Sequence, residues 1–131
     1  AFIERATAAA HRVLPGAPII IVAHLGDGNV HLIAQASFEQ WRSWPDPNSI
    51  ATKIKHAVNK VAHELGGTFS AEHGIGQALT KDMGEFKPEV ELDLMHGIKR
   101  FVDPHNIFNP GRLLPPTPYS KQDQESHLCP K

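Results

Sequence analysis

Cysteine is almost missing from this 131-residue chain, where Cys129 stands alone. One thiol closes no intrachain disulfide and builds no thiolate metal site, so the plain setting is a reducing compartment, read here as cytoplasmic. Long apolar runs are missing too. The longest, Ile19 to Ala23 with its neighbours, is far too short to cross a bilayer, and the N-terminus lacks the layout of a signal peptide. Charge of one sign is not in excess either, with 13 basic residues against 14 acidic ones. No basic cluster carries interleaved aromatics, so neither nucleic acid nor an anionic membrane has an electrostatic reason to bind. A phosphate loop is absent as well: Gly74-Ile75-Gly76 is only part of a G-x-G-x-x-G and follows no clear strand. There is no initiator Met, and the chain opens inside a helical pattern. A domain of a longer polypeptide is the expectation.

What is there describes one ordinary core, with 40% apolar and 21% charged residues. Phe2, Ile3, Ala6, Ala9, Ala10, Val13 and Leu14 recur at helical spacing until Pro15-Gly16. Residues 18 to 23 fit a buried strand and 30 to 36 its return. Residues 41 to 49 read as a proline-broken loop, with Asn48 or Ser49 capping a helix whose stripe is Ile50, Ile54, Val58, Val61 and Leu65. Gly66-Gly67 stops that helix, and Thr68-Phe69-Ser70 reads as a short extended segment. A helical turn is expected near Ile75, and a last helix from about Pro88 to the residue before Asp103-Pro104. The order α, β, β, α, β, α, α predicts an α+β fold, a small antiparallel sheet covered by helices. Residues 1 to 114 form the expected domain. Residues 115 to 131 are too poor in apolar surface to offset the entropy of ordering them and read as a flexible tail.

The chemistry gathers in Ala23-His24-Leu25-Gly26-Asp27-Gly28-Asn29-Val30-His31. If Leu25 pairs with Val30 around a Gly26–Asn29 loop, His24 lies opposite His31 and both imidazoles leave one face of a hairpin. One histidine beside a turn is more often a hydrogen-bonded structural residue than a ligand; two placed symmetrically about a turn balance the readings. Asp27 and Asn29 are most simply turn formers. A third donor, Glu72, stands in Ser70-Ala71-Glu72-His73-Gly74-Ile75-Gly76. Two imidazoles and a carboxylate suit a catalytic divalent metal with an open position. In an extended backbone His73 would point away from Glu72, free to act as general base. His56 and His63 fall off their helix's apolar stripe, and His11, His96, His105 and His127 have no partner at ligand spacing.

Three blocks now stand in order: His24 to His31, Ser70 to Gly76, and Asp103-Pro104 through Asn109-Pro110-Gly111-Arg112-Leu113. Together they resemble the C-terminal domain of FAD-linked oxidases of the vanillyl-alcohol oxidase superfamily, the group with D-lactate dehydrogenase, D-2-hydroxyglutarate dehydrogenase and the glycolate oxidase D subunit. The resemblance implies a ferredoxin-like cap that supplies the substrate-side wall of a flavoenzyme oxidising a small D-2-hydroxy acid. An upstream domain would hold most of the FAD. It further implies that His24, His31 and Glu72 coordinate zinc or manganese, that His73 takes the proton of the C2 hydroxyl as hydride moves to the flavin, and that Asn109 lies toward the flavin.

Two departures mark this chain. Leu79 stands where the family often has Lys, with Lys81 two residues late, and Ile33 stands where a polar residue is usual two places after the second histidine. They leave the trio intact and motivate a second reading, a non-catalytic metal-binding or assembly module. On either reading the isolated chain would not turn over, and a homo-oligomer is left open.

Overall fold

The computed structural model describes residues 1–116, so Cys129 and all but the first two residues of the expected tail lie outside the described residues. The chain divides into two compact units, Ala1–Gly74 and a second beginning at Ile75.

The first unit runs α1 (Phe2–Val13), β1 (Ile19–His24), β2 (Asn29–Ala34), α2 (Phe38–Ser43) and α3 (Pro47–Glu64). Its core is built where α1 meets α3: Ala6, Ala9 and Val61 are buried together, with Phe2, Leu32, Ala57 and Val58 packed around them. Alanine at all three buried positions of α1, Ala6, Ala9 and Ala10, lets the two helix backbones approach closely. The exposed rim is tied by an ion pair between Arg5 and Glu64.

β1 and β2 form a two-stranded antiparallel sheet. In its register Ile20 pairs with Ile33, Ile21 with Leu32, Val22 with His31, Ala23 with Val30 and His24 with Asn29. Side chains alternate between faces along each strand, and directly paired residues share a face. Leu32 packs on the helical core, so its face, with Ile19, Ile21, Ala23, Val30 and Ala34, is the inner one. The other face carries Ile20, Val22, His24, Asn29, His31 and Ile33.

The α+β expectation with a small antiparallel sheet holds. Several details differ. The hairpin turns over Leu25-Gly26-Asp27-Gly28, with Gly28 at positive φ, and His24 pairs with Asn29 instead of His31. Part of the expected 41–49 loop is helical, because Ser37 and Gln40 form a reciprocal capping box that starts α2. Asp46, not Asn48 or Ser49, caps α3, its carboxylate accepting from the Ser49 amide at 3.0 Å with Pro47 behind it. Thr68-Phe69-Ser70 is not part of a strand among the described residues and bends instead.

The second unit holds α4 (Thr80–Phe86) and α5 (Glu89–Val102). Leu79 and Met83 are buried there, and α5 starts after Pro88 with an ion pair between Lys87 and Glu91. Among the described residues no helix is long and apolar enough to cross a membrane.

The close approach of α1 and α3 is directly testable. Ala6 has no exposed surface, so Ala6→Leu forces the helices apart and is expected to destabilise the chain by about 1–3 kcal/mol. Urea unfolding checks it: the midpoint should fall with an unchanged slope. An unchanged midpoint would contradict this packing.

Candidate metal centre on the hairpin face

The register brings His24 and His31 together by a route other than direct pairing. Asn29 shares a face with its partner His24, and His31, two residues further along β2, shares it too. The histidines are therefore diagonal neighbours, with ring centroids 5.6 Å apart.

Glu72 arrives from the far end of α3. Gly66 sits at positive φ after the helix and Ala71 at φ 47, and the His73 amide donates to the Ser70 carbonyl, closing a turn. That turn delivers the Glu72 carboxylate between the two imidazoles. Its Oε2 lies 3.5 Å from His24 Nδ1 and its Oε1 lies 3.4 Å from His31 Nε2. One ligand atom from each of the three residues falls within 4.8 Å of the others.

His73 differs from expectation. The backbone at 71–73 is a turn and not an extended strand, so His73 does not point away from Glu72. Its Nε2 is 3.9 Å from Glu72 Oε1, and its ring meets that of His31 edge-on with centroids 5.5 Å apart. The sequence-selected residues His24, His31, Glu72 and His73 thus form one cluster, more open at His73 than at His31, whose side chain is 28% exposed against 69%.

Asn29 is a member that sequence reasoning passed over as a turn former. Its Nδ2 donates to Glu72 Oε2 at 3.4 Å. The signal was available: Asn29 and His31 are two apart on one strand and so share a face.

The donor chemistry fits a divalent ion. Two imidazole nitrogens and one carboxylate oxygen within 4.8 Å of one another are a donor set that a tetrahedral site with an open fourth position uses. A carboxylate accepting from Asn29 also has the outer hydrogen bond that holds a ligand's orientation.

Asn109 belongs to the second unit, at positive φ in the loop after α5. Asp103, only 5% exposed, organises that loop: its carboxylate accepts from the Ile107 and Phe108 amides, each at 2.9 Å, and pairs with Lys99. Lys99 also donates to the Phe108 carbonyl at 2.8 Å. The Lys99 hydrogen bond, followed by those from the two amides, outweighs burial and holds the Asp103 carboxyl below its ordinary range. On α5, burial and then Arg100 hold His96 below the ordinary imidazole range against the opposing pull of Asp93.

Comparison with known proteins gives a consistent picture. Residues 1–113 match the family model described as FAD linked oxidases, C-terminal domain. The chain is 30% identical over 114 residues to a D-2-hydroxyglutarate dehydrogenase of Xanthomonas citri pv. viticola, covering 87% of this chain and 24% of that protein. It is 35% identical over 99 residues to a D-lactate dehydrogenase of Archaeoglobus fulgidus, covering 76% and 20%. It is 34% identical over 99 residues to the mitochondrial D-lactate dehydrogenase [cytochrome] of Arabidopsis thaliana, covering 73% and 16%. The chain therefore spans between 16% and 24% of the length of these relatives.

The Asp103 clamp predicts a pH dependence of definite sign. A carboxyl whose folded pKa lies below its unfolded value adds stability that is full above the ordinary carboxylate range and lost as pH falls through the folded value. Thermal melts stepped down from about pH 6 to about pH 2 should show Asp103→Asn losing less stability on acidification than the unsubstituted chain. Parallel acid profiles would contradict the clamp.

Proposed function

The chain belongs to the family of FAD-linked oxidase C-terminal domains, and from that premise we propose that it is the substrate-side half of an active site that oxidises a D-2-hydroxy acid. The observation that carries this is the convergence of His24, His31 and Glu72 on one point of an exposed sheet face, with His73 beside them. FAD would be held mainly by a domain upstream, and the isolated chain would not turn over. We include a cytosolic setting, as the lone cysteine suggests.

In this reading His24, His31 and Glu72 hold a divalent ion, zinc or manganese. The bound ion would supply Lewis acidity toward the substrate's oxygens and the bound flavin a hydride acceptor. Everything else falls to the chain's own side chains. Asn29 fixes the Glu72 carboxylate by its hydrogen bond. His73, the most exposed of the three imidazoles, offers Nε2 to the C2 hydroxyl as general base. The balance is simple: the hydroxyl proton goes to His73, the C2 hydrogen leaves with its electron pair, and the carbinol becomes the carbonyl of a 2-oxo acid. Asn109, in the loop clamped by Asp103, is assigned to the flavin side.

Leu79 and Ile33 favour the second reading, a metal-binding or assembly module without turnover. One experiment separates the two. The flavoprotein that carries this domain is mixed anaerobically with a panel of D-2-hydroxy acids, and flavin bleaching is followed with and without chelator. Bleaching that chelator suppresses, and that His73→Ala slows by about 10²–10⁴-fold with metal content retained, is expected. Absence of bleaching by any acid would overturn the catalytic reading; chelator-insensitive bleaching would overturn the metal's part in it.

A further inference from the structure

The face of the hairpin that bears His24, Asn29 and His31 is otherwise apolar. Beyond His24 and Asn29 at the turn, the next pair is Val22 and His31, and the pair after that is Ile20 and Ile33. Ile20, Val22 and Ile33 are 43%, 47% and 47% exposed. Branched side chains this open on a strand face make a wall, and this one starts directly at the metal ligands: Val22 stands across from His31, and Ile33 follows His31 on the same strand face.

Charge points the same way. The sequence has no Lys or Arg between Arg12 and Arg42, the stretch containing the whole hairpin, and none between Lys60 and Lys81, the stretch containing Glu72 and His73. The cations of α1 and α3 belong to helices packed on the inner face through Leu32. A second carboxylate placed along this wall would be desolvated against isoleucine and valine with no cation from the hairpin or from the Glu72–His73 turn to pair with, whereas an alkyl chain would gain contact there.

We propose that the substrate is a monocarboxylic 2-hydroxy acid with an extended apolar side chain, and that Ile20, Val22 and Ile33 select it by lining the path of its carbon chain away from the trio. This rests on the hydroxy-acid oxidation proposed above and narrows it against dicarboxylic acids. The occupant of the apolar face is the substrate chain itself, because the wall is continuous with the residues that would hold the reacting end.

The test uses the FAD- and metal-loaded flavoprotein and measures kcat/KM for flavin reduction by D-lactate, D-2-hydroxybutanoate and D-2-hydroxyhexanoate, and by D-malate and D-2-hydroxyglutarate. The value should rise by at least about tenfold from the three-carbon to the six-carbon acid, and both dicarboxylates should trail the latter. Ile33→Lys should narrow or invert that ranking, and the milder Ile33→Thr should lower the rate with the six-carbon acid more than with lactate. A readout free of turnover is calorimetric titration of the oxidised protein with 2-oxohexanoate and 2-oxoglutarate, where the former should bind more tightly. A flat chain-length profile, or dicarboxylates equal to or better than the aliphatic acids, would overturn this proposal and leave hydroxy-acid oxidation standing. Reduction by none of the acids would overturn both.

Discussion

The constraint on which the rest depends is the parity of an antiparallel hairpin. Because successive residues of a strand face opposite ways, the register decides at once which side chains meet the α1–α3 core and which are left outside. Leu32 on the core fixes the inner face, and His24, Asn29 and His31 follow to the outer one. A slip of one strand by one residue would set its histidine on the opposite face. The placement of the two imidazoles is thus a consequence of how Leu32 packs, and the Ala6, Ala9 and Val61 contacts that seat Leu32 support that face from behind.

Parity also explains why the expected pairing and the observed one gather the same side chains on one face. The expected register placed His24 opposite His31, and the observed one places it opposite Asn29, two residues away. A shift of two preserves every facial assignment, so the convergence of the imidazoles survived while the identity of the neighbour did not. Asn29 was missed for that reason. The helices with continuous apolar stripes, α1, α3 and α5, were legible from periodicity. α2 was not, because its start is a local hydrogen-bond exchange between Ser37 and Gln40 and not a hydrophobic pattern. Thr68-Phe69-Ser70 looked extended by composition, yet a strand needs a partner and none pairs with it among the described residues. The turn that replaces it, with Ala71 at positive φ, swings His73 to the side of Glu72.

The candidate residues fall into both compact units. His24, His31, Glu72 and His73 all lie in Ala1–Gly74, while the Asn109 loop belongs to the unit that starts at Ile75. In the first unit, the clustered side chains stand on strands and on a turn that follows α3. In the second, the loop is ordered by a buried carboxylate and a lysine that together satisfy backbone groups of Ile107 and Phe108. Sequence alone marks Asp103 as the residue after the last helix and the start of the third block; its clamping of the loop follows from burial, which composition does not show.

The central claim, that the hairpin face gathers one divalent ion through three named residues, is tested most directly by titrating zinc into the 131-residue chain and following the imidazole ¹⁵N resonances. The account predicts that His24 and His31 shift together, saturate at one equivalent of zinc, and lose that response in Glu72→Gln. Histidines that respond independently, or a Glu72→Gln chain that binds as before, would contradict it.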